Sequence, residues 1–181
     1  EVITQLEGLY LPSDVWENIV FPARITGYTP GMLDRLCASG RVVWRMLVAD
    51  SKSQFKLAWF KPESICFETE LNTSDTDLPE DEKSIYNLLM RKGATFTHVL
   101  TSLSGKPVGE LLDTLRELVL KGLVVNDSFQ PLRFFMHREA FDALDPMQKA
   151  RKIAMMVSRV EMGRWEPAYL PKPLSMQHFI Q

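Results

Sequence analysis

Arg41, Trp44 and Arg45 form a short aromatic and cationic cluster that could bind a nucleic acid. In an extended strand successive side chains point to opposite faces, so Arg41 and Arg45 share one face and Trp44 takes the other. Stacking of a base on an exposed tryptophan contributes roughly 1–3 kcal/mol to binding, and arginines beside the tryptophan can hold phosphates. From the residues alone, a tryptophan in an apolar strand is more often a core residue. The two arginines are then more often a solvated strand edge.

Four further cations could contact a phosphate backbone. Arg24 follows Pro22, which is expected to end a helix. Instead of a phosphate, Arg24 could bind the C-terminus of that helix. Lys52 and Lys56 lie on a predicted β-hairpin wing, a usual position for contacts to a nucleic-acid backbone. Arg133 is the fourth, with a salt bridge at the edge of the core as its alternative.

The sequence lacks the motifs of a catalytic centre. No GxxxxGK[ST] phosphate-binding loop is present, so this segment is not expected to hydrolyse ATP. Cys37 and Cys66 have no CxxC partners and the three histidines lie far apart, which argues against a zinc site. No Ser/His/Asp or Cys/His set stands out. We therefore expect no catalytic residue, no metal ligand and no bound cofactor in this segment.

The net charge of −2 hides an uneven distribution of charge. Residues 63–82 carry eight acidic and no basic side chains, which predicts a solvated linker and leaves the rest of the chain basic. Two free cysteines, with no signal peptide and no apolar run of membrane length, favour the cytoplasm and argue against a membrane partner. Because no initiator Met is present, we expect the chain to start inside a longer protein.

Residues 1–62 predict three helices followed by a two-stranded wing. Glu1 to Gly8 resembles the end of a helix whose start is missing. A second helix is expected to begin near Ser13 and to end at Pro22, and a third to begin at Thr29-Pro30 and to end at Gly40. Residues 41–50 and 54–60 then predict the two strands of the wing, joined by a turn at 50–53.

A similar order is predicted over residues 79–136, after the linker at 63–78. The segment from Lys106 to Arg133 predicts a helix, a stop at Gly122, a strand at 123–125, a polar turn and a return strand at 131–135. Residues 137–181 predict one more helix, with Met147 facing inward, and an extended connector. The expected fold class is therefore α+β, with tandem winged-helix domains carrying short β-wings, plus a C-terminal helix and extended tail.

Two long segments, PARITGYTPGMLDRLCASGRVVW (22–44) and DTLRELVLKGLVVNDSFQPLR (113–133), resemble the large helicase-related (Lhr) family of superfamily 2 DNA helicases. They resemble the accessory region that follows the motor domains. Gly163-Arg164-Trp165 is more weakly similar. Trp44 ends the first motif and looks like a family tryptophan expected to stack on the tracking strand. The sequence departs from the family pattern in two places. Arg45-Met46-Leu47 follows Trp44, where family members often have glycines, and the Gly-Gly-aromatic segment common in the family is replaced here by KGATF (92–96).

The resemblance implies a parent protein that translocates 3′ to 5′ on single-stranded DNA and unwinds duplexes, with ATP and Mg²⁺ bound by its motor domains. The leading hypothesis is a non-catalytic accessory segment that contacts single-stranded DNA and braces the motor of the same polypeptide. Two alternatives are a protein-interaction scaffold and a glycosylase-like DNA-repair module. A transcription regulator is disfavoured, because the outer face of the 107–121 helix carries Glu110, Asp113 and Glu117, which phosphates would repel.

Overall fold

A computed structural model describes residues 1–47, 56–65, 78–157 and 162–168. We call the described residues up to 65 the first unit and those from 78 to 168 the second unit. Most of the predicted acidic linker, the predicted turn at 50–53 with Lys52, and the tail from residue 169 lie outside the described residues. The elements of the first unit are α1 (Val2–Gln5), β1 (Leu11–Pro12), α2 (Ser13–Val15), α3 (Phe21–Arg24), α4 (Pro30–Ala38), β2 (Val43–Met46), β3 (Lys56–Phe60) and α5 (Pro62–Ile65).

The helix predicted to end at Pro22 continues to Arg24. A π-helical turn, Trp16–Val20, joins α2 to α3 without a break, and the N–H of Phe21 donates to the carbonyl of Trp16. Pro22 follows this wider turn directly, and the local change in hydrogen bonding is a place where a helix can accommodate a residue that lacks an N–H. The wider turn also changes which side chains face inward: Trp16 and Phe21 are buried, whereas Ile19 is 60% exposed.

The three strands of the first unit form one antiparallel sheet in the order β1-β3-β2. The central strand β3 pairs Leu57 with Leu11 and Trp59 with Trp44. The predicted wing is therefore present as β2 and β3, and a short edge strand completes the sheet. α4 ends beside Gly40, whose φ of 66° lies in the region that favours glycine.

The second unit begins with three helices separated by one short strand. These are α6 (Glu80–Lys92), β4 (Thr95–Phe96), α7 (Thr97–Ser104) and α8 (Val108–Leu120). α8 is the helix predicted within the segment from Lys106 to Arg133. Three more helices follow β5 (Val124–Asn126): α9 (Gln130–Met136), α10 (Arg138–Asp142) and α11 (Pro146–Val157). The chain then returns as strand β6 (Arg164–Pro167).

The strand predicted at residues 131–135 is a helix, and the true partner of β5 comes from the predicted connector. Pro131 occupies the first turn of α9, where proline is favoured, and Leu132 and Phe135 are buried from it. β6 pairs with both β4 and β5 in an antiparallel sheet of order β4-β6-β5. Both sheets therefore place their last strand in the centre.

One hydrophobic core runs through both units. At its centre the Trp59 ring of β3 packs against Phe129, which precedes α9, with ring centroids 5.1 Å apart. Phe135 of α9 packs in turn against Trp165 of β6, with centroids 6.0 Å apart. Phe129, in the segment between β5 and β6, thus packs across the boundary between the two units, and Phe135 continues the core within the second unit.

The periphery of the second unit differs from expectation in one place. Met147 of α11, predicted to face inward, is 81% exposed, and Ile153 is the half-buried residue of this helix that packs on the core. α11 lies against α8. Among the described residues, no helix has the length and apolar character needed to span a membrane.

Candidate nucleic-acid interface

Trp44 lies inside the protein rather than on its surface. It is 1% exposed and pairs with Trp59 across the β2–β3 ribbon. Its indole Nε1 finds no hydrogen-bond partner among the described residues. The structure therefore favours the core alternative for Trp44, because a base cannot stack on a ring with no accessible face.

The predicted pair of arginines beside Trp44 is divided between two environments. Arg45 is half-buried in β2 opposite Ala58, and its Nη1 donates to the Trp44 carbonyl at 3.1 Å. Arg41 precedes the strand: its backbone N–H donates to the Leu36 carbonyl in the turn that ends α4, and its side chain is exposed. The expectation that both share one strand face is wrong, because Arg41 belongs to a turn.

Arg45 also acts on the second unit. Burial raises the pKa of Glu166 on β6 above its ordinary value, and the charge of Arg45 opposes that rise. Arg45 therefore interacts electrostatically with the second unit as well as with its own strand.

Arg24 and Lys56 are exposed, as a phosphate contact requires. Arg24 lies in the last turn of α3, and its Nη1 makes one weak hydrogen bond, 3.5 Å, to Gln5 Oε1. Lys56 starts β3 opposite Pro12, and its ammonium has no ionic partner within the part of the chain that the structure describes. With Arg41, these two cations form what we call the basic set of the first unit.

The predicted phosphate ligand Arg133 is instead the centre of an ion-pair network between the units. Its guanidinium donates to Glu17 Oε1 at 2.7 Å and to Asp34 Oδ1 at 2.9 Å, and lies 5.1 Å from the Phe129 ring centroid. Only 17% of its side chain is exposed. This is a correction: the structure has the salt bridge at the core edge, because α9 faces α4 and the π-helical turn.

The electrostatics of this network agree with its burial. Burial alone would lower the pKa of Arg133, but hydrogen bonds and charges from Glu17 and Asp34 outweigh it and raise the pKa. Burial and the Glu17 carboxylate likewise raise the pKa of Tyr28, whose hydroxyl donates to Glu17 at 3.2 Å. Burial, aided by the charge of Asp34, raises the pKa of the Cys37 thiol to about 12, so this thiol stays protonated and unreactive.

A cleft of about 540 Å³ separates α4 from the edge of the second sheet. One wall is the exposed face of α4, with Gly31, Arg35 and Ala38. The opposite wall includes Phe96 of β4 and Arg164 of β6. The sequence analysis missed Arg35, although its place on the outer face of the predicted third helix was a usable signal. Arg164 was noted only through the weak Gly163-Arg164-Trp165 resemblance.

The chain is tightly constrained where it enters β6. The Nε of Arg164 donates to Asp127 Oδ2 at 2.7 Å. Gly163 has a φ of 64°, and a Cβ at this position would overlap Asn126, Asp127 and Ser128. The backbone of β6 can approach the end of β5 this closely only because residue 163 has no side chain.

A second groove of about 430 Å³ lies beside α1 and is mostly apolar. Val2, Phe21, Ile25 and Leu36 line it, and Arg41 and Lys61 lie at its rim. An apolar surface near the first helix is what the scaffold alternative predicts, so this groove keeps that alternative open.

Among the described residues, no group of His, Cys, Asp or Glu side chains is arranged to hold a metal ion. On α8, Glu110 and Asp113 are exposed, as the acidic outer face predicts. That α8 stays out of a major groove remains a prediction.

Comparison with known proteins gives a family match for the first unit and relatives for most of the chain. A family model described as "Large helicase-related protein, winged-helix domain" matches residues 1–62. The "Lhr helicase/ probable uracil glycosylase" of Mycolicibacterium smegmatis is 36% identical over 138 residues, 73% of this chain and 9% of that protein. The "Lhr helicase/uracil glycosylase" of Escherichia coli is 30% identical over 142 residues, again 73% of this chain and 9% of that protein. The chain thus spans less than a tenth of the length of these two relatives.

Proposed function

Because the chain belongs to the large helicase-related (Lhr) family, we propose that it is a non-catalytic accessory segment of an ATP-dependent 3′–5′ DNA helicase. In this proposal it contacts single-stranded DNA and braces the motor domains of the same polypeptide. ATP and Mg²⁺ are bound by those motor domains, since this sequence has no GxxxxGK[ST] loop.

One observation carries the proposed contact with DNA. The winged-helix match covers residues 1–62, and this unit presents the basic set: Arg24, Arg41 and Lys56 are exposed. When exposed lysine and arginine side chains contact phosphates, they release the counterions held by the nucleic acid. This release drives sequence-independent binding of a single strand.

The bracing role is supported by the packing between the units. A continuous core and the buried Arg133 network join the two units, as a segment that holds a surface in place against a motor requires. We also propose that the second unit is a winged helix. Its strand order β4-β6-β5 repeats β1-β3-β2, with α9 to α11 inserted between the last two strands.

The names of the two relatives mention uracil glycosylase, but we do not extend base removal to this chain. The cleft carboxylates are both engaged by cations: Asp34 accepts from Arg133, and Asp127 accepts from Arg164. No described carboxylate in the cleft is left over for the chemistry of base removal.

The proposal predicts salt-dependent binding of the 181-residue chain to a labelled oligothymidylate of about 12 nucleotides, measured by fluorescence anisotropy. Replacing Arg24, Arg41 and Lys56 together by Ala should weaken binding about tenfold or more. The slope of log K against log salt should fall by about 2, since each phosphate contact on a single strand contributes about 0.7.

The matched control removes three exposed cations elsewhere, by Lys92→Ala, Arg151→Ala and Lys152→Ala. This control should bind much as the unmodified chain does. Equal losses in both triple variants would contradict a specific role for the basic set. No binding at all at low salt would instead favour the scaffold alternative.

A further inference from the structure

The cleft between α4 and the second sheet has the features of a small binding site for a nucleotide. We propose that it holds one nucleotide of a single-stranded nucleic acid, with a phosphate on Arg35 and the base against Phe96. This inference rests on the proposed function, and it adds a second contact point outside the basic set. The cleft volume of about 540 Å³ lies in the range of roughly 300–1,000 Å³ that is usual for small-molecule sites.

Arg35 is the phosphate ligand in this proposal because its charge is available. Its side chain is exposed, and no ion pair or hydrogen bond of its guanidinium occurs within the described residues. Its Nη1 lies 3.8 Å from the point where a Cβ on Gly31 would sit. The guanidinium therefore lies beside Gly31, one turn back along the helix, where its planar donors can meet two phosphate oxygens.

The acidic residues of the cleft do not cancel this charge. Asp34 accepts hydrogen bonds from Arg133 at 2.9 Å and from Gln130 Nε2 at 3.1 Å. Asp127 accepts from the Arg164 Nε at 2.7 Å and from the Arg164 backbone N–H at 2.5 Å. Each cleft carboxylate is thus hydrogen-bonded to an arginine, with Arg133 shared between Asp34 and Glu17. Neither carboxylate is paired with Arg35, whose positive charge remains for a ligand.

Phe96 supplies the flat apolar surface that a base requires. It is half-buried in the cleft wall, and the His98 ring stacks on it at 5.7 Å with an interplanar angle of 21°. Gly31 and Ala38 on the opposite wall are small and leave space for a planar group. An acidic peptide could also pair with Arg35, but its carboxylates would make no use of the aromatic wall, so the observations favour a nucleotide.

The test compares two single substitutions by anisotropy, using the full chain and two strands of equal length. One strand is oligothymidylate, and the other carries abasic sites in place of its bases. Arg35→Ala should weaken both strands about three- to tenfold and lower the salt slope by about 0.7, the value for one phosphate. Phe96→Leu keeps the apolar volume but loses the aromatic ring. It should weaken the base-containing strand about fivefold or more and leave the abasic strand unchanged.

Arg151→Ala is the matched control, because Arg151 is an exposed arginine on α11, away from the cleft. Thermal melting of each variant checks that it is folded. The inference is overturned if Arg35→Ala binds like Arg151→Ala, or if Phe96→Leu weakens both strands equally. It is also overturned if a polyglutamate peptide competes with the same dependence on both residues, since the cleft would then be an acidic-peptide site.

The two proposals fail in different ways. If the unmodified chain does not bind a single strand, both are wrong. If binding depends on Arg24, Arg41 and Lys56 but not on Arg35 and Phe96, the proposed function stands and the cleft assignment alone is wrong.

Discussion

The two units build the same small sheet from very different stretches of chain. In each, a short edge strand precedes a helix, a second strand follows a helix that ends near a glycine, and the last strand pairs between them. In the first unit only residues 47–55 separate the last two strands. In the second unit residues 127–163 separate them, and the described part of that interval contains α9, α10 and α11.

This difference shows where the contact between the units comes from. The segment inserted between β5 and β6 contributes Phe129, which packs on Trp59, and Arg133, which binds Glu17 and Asp34. All three partners belong to the first unit. The long segment between β5 and β6 therefore joins the two units, and substitutions in it measure how much stability it provides.

The largest effect is expected from Arg133→Met. The substitution keeps much of the buried volume but leaves Glu17 and Asp34 without their cation, with side chains 11% and 22% exposed. Removing one partner of a buried ion pair typically costs about 3–5 kcal/mol. Urea denaturation should show a loss of free energy of unfolding in that range, with the first unit affected as much as the second.

Two controls distinguish the network from a general effect of losing an arginine. Arg151→Met, on exposed α11, should change the free energy of unfolding by less than about 0.5 kcal/mol. Adding Glu17→Gln and Asp34→Asn to Arg133→Met should recover part of the loss, because no buried charge is then uncompensated. An Arg133→Met variant as stable as the unmodified chain would show that the network does not hold the units together.

A smaller effect is expected where the insertion rejoins the sheet. Gly163→Ala meets two obstacles, a φ of 64° and an overlap of the new Cβ with the end of β5. Together these should cost about 2–4 kcal/mol, from strain in the left-handed region and from overpacking. Gly40→Ala in the first unit has nearly the same φ, 66°, but nothing within 4 Å of the new Cβ, so about 1 kcal/mol is expected.

Thermal or urea unfolding of the two alanine variants measures the difference directly. Because the backbone strain is nearly the same in both, the excess cost at residue 163 reports the close approach of β6 to β5. Equal costs would mean that the neighbouring side chains move aside freely, and that this part of the second sheet is not constrained by packing.

Sequence reasoning predicted the elements whose signals are local. The residues that begin and end helices α4, α6 and α8 lie within a few positions of the helix ends, and strands β2 and β3 are close to each other in sequence. β6 could not be found in this way, because its partners β4 and β5 lie far from it in sequence. Residues 131–135 are predicted as the return strand of a second wing, but a short apolar run is compatible with a strand or a buried helix, and these residues form α9.

The candidate site was predictable to a similar extent. Exposure of Arg24, Arg41 and Lys56 agrees with the polar positions expected for them. Alternation placed Trp44 and Arg45 on opposite faces of a strand but could not show that the Trp44 face meets the core. The partners of Arg133 are 116 and 99 residues away in sequence, so only the folded chain reveals its network.

The smallest predicted effect compares the tryptophans of the two central strands, Trp59 in β3 and Trp165 in β6. Both are fully buried, but Trp165 Nε1 donates to Thr97 Oγ1 at 2.9 Å, whereas Trp59 Nε1 has no partner among the described residues.

Trp→Phe removes the same volume at each site. At Trp165 it also leaves the buried Thr97 hydroxyl without its donor, and at Trp59 it removes an unsatisfied N–H. Trp165→Phe should therefore cost about 1–2 kcal/mol more than Trp59→Phe in urea denaturation. Adding Thr97→Val to Trp165→Phe should recover part of that excess. Equal costs for the two substitutions, or a larger cost at Trp59, would show that the second sheet does not gain the predicted stability from this hydrogen bond.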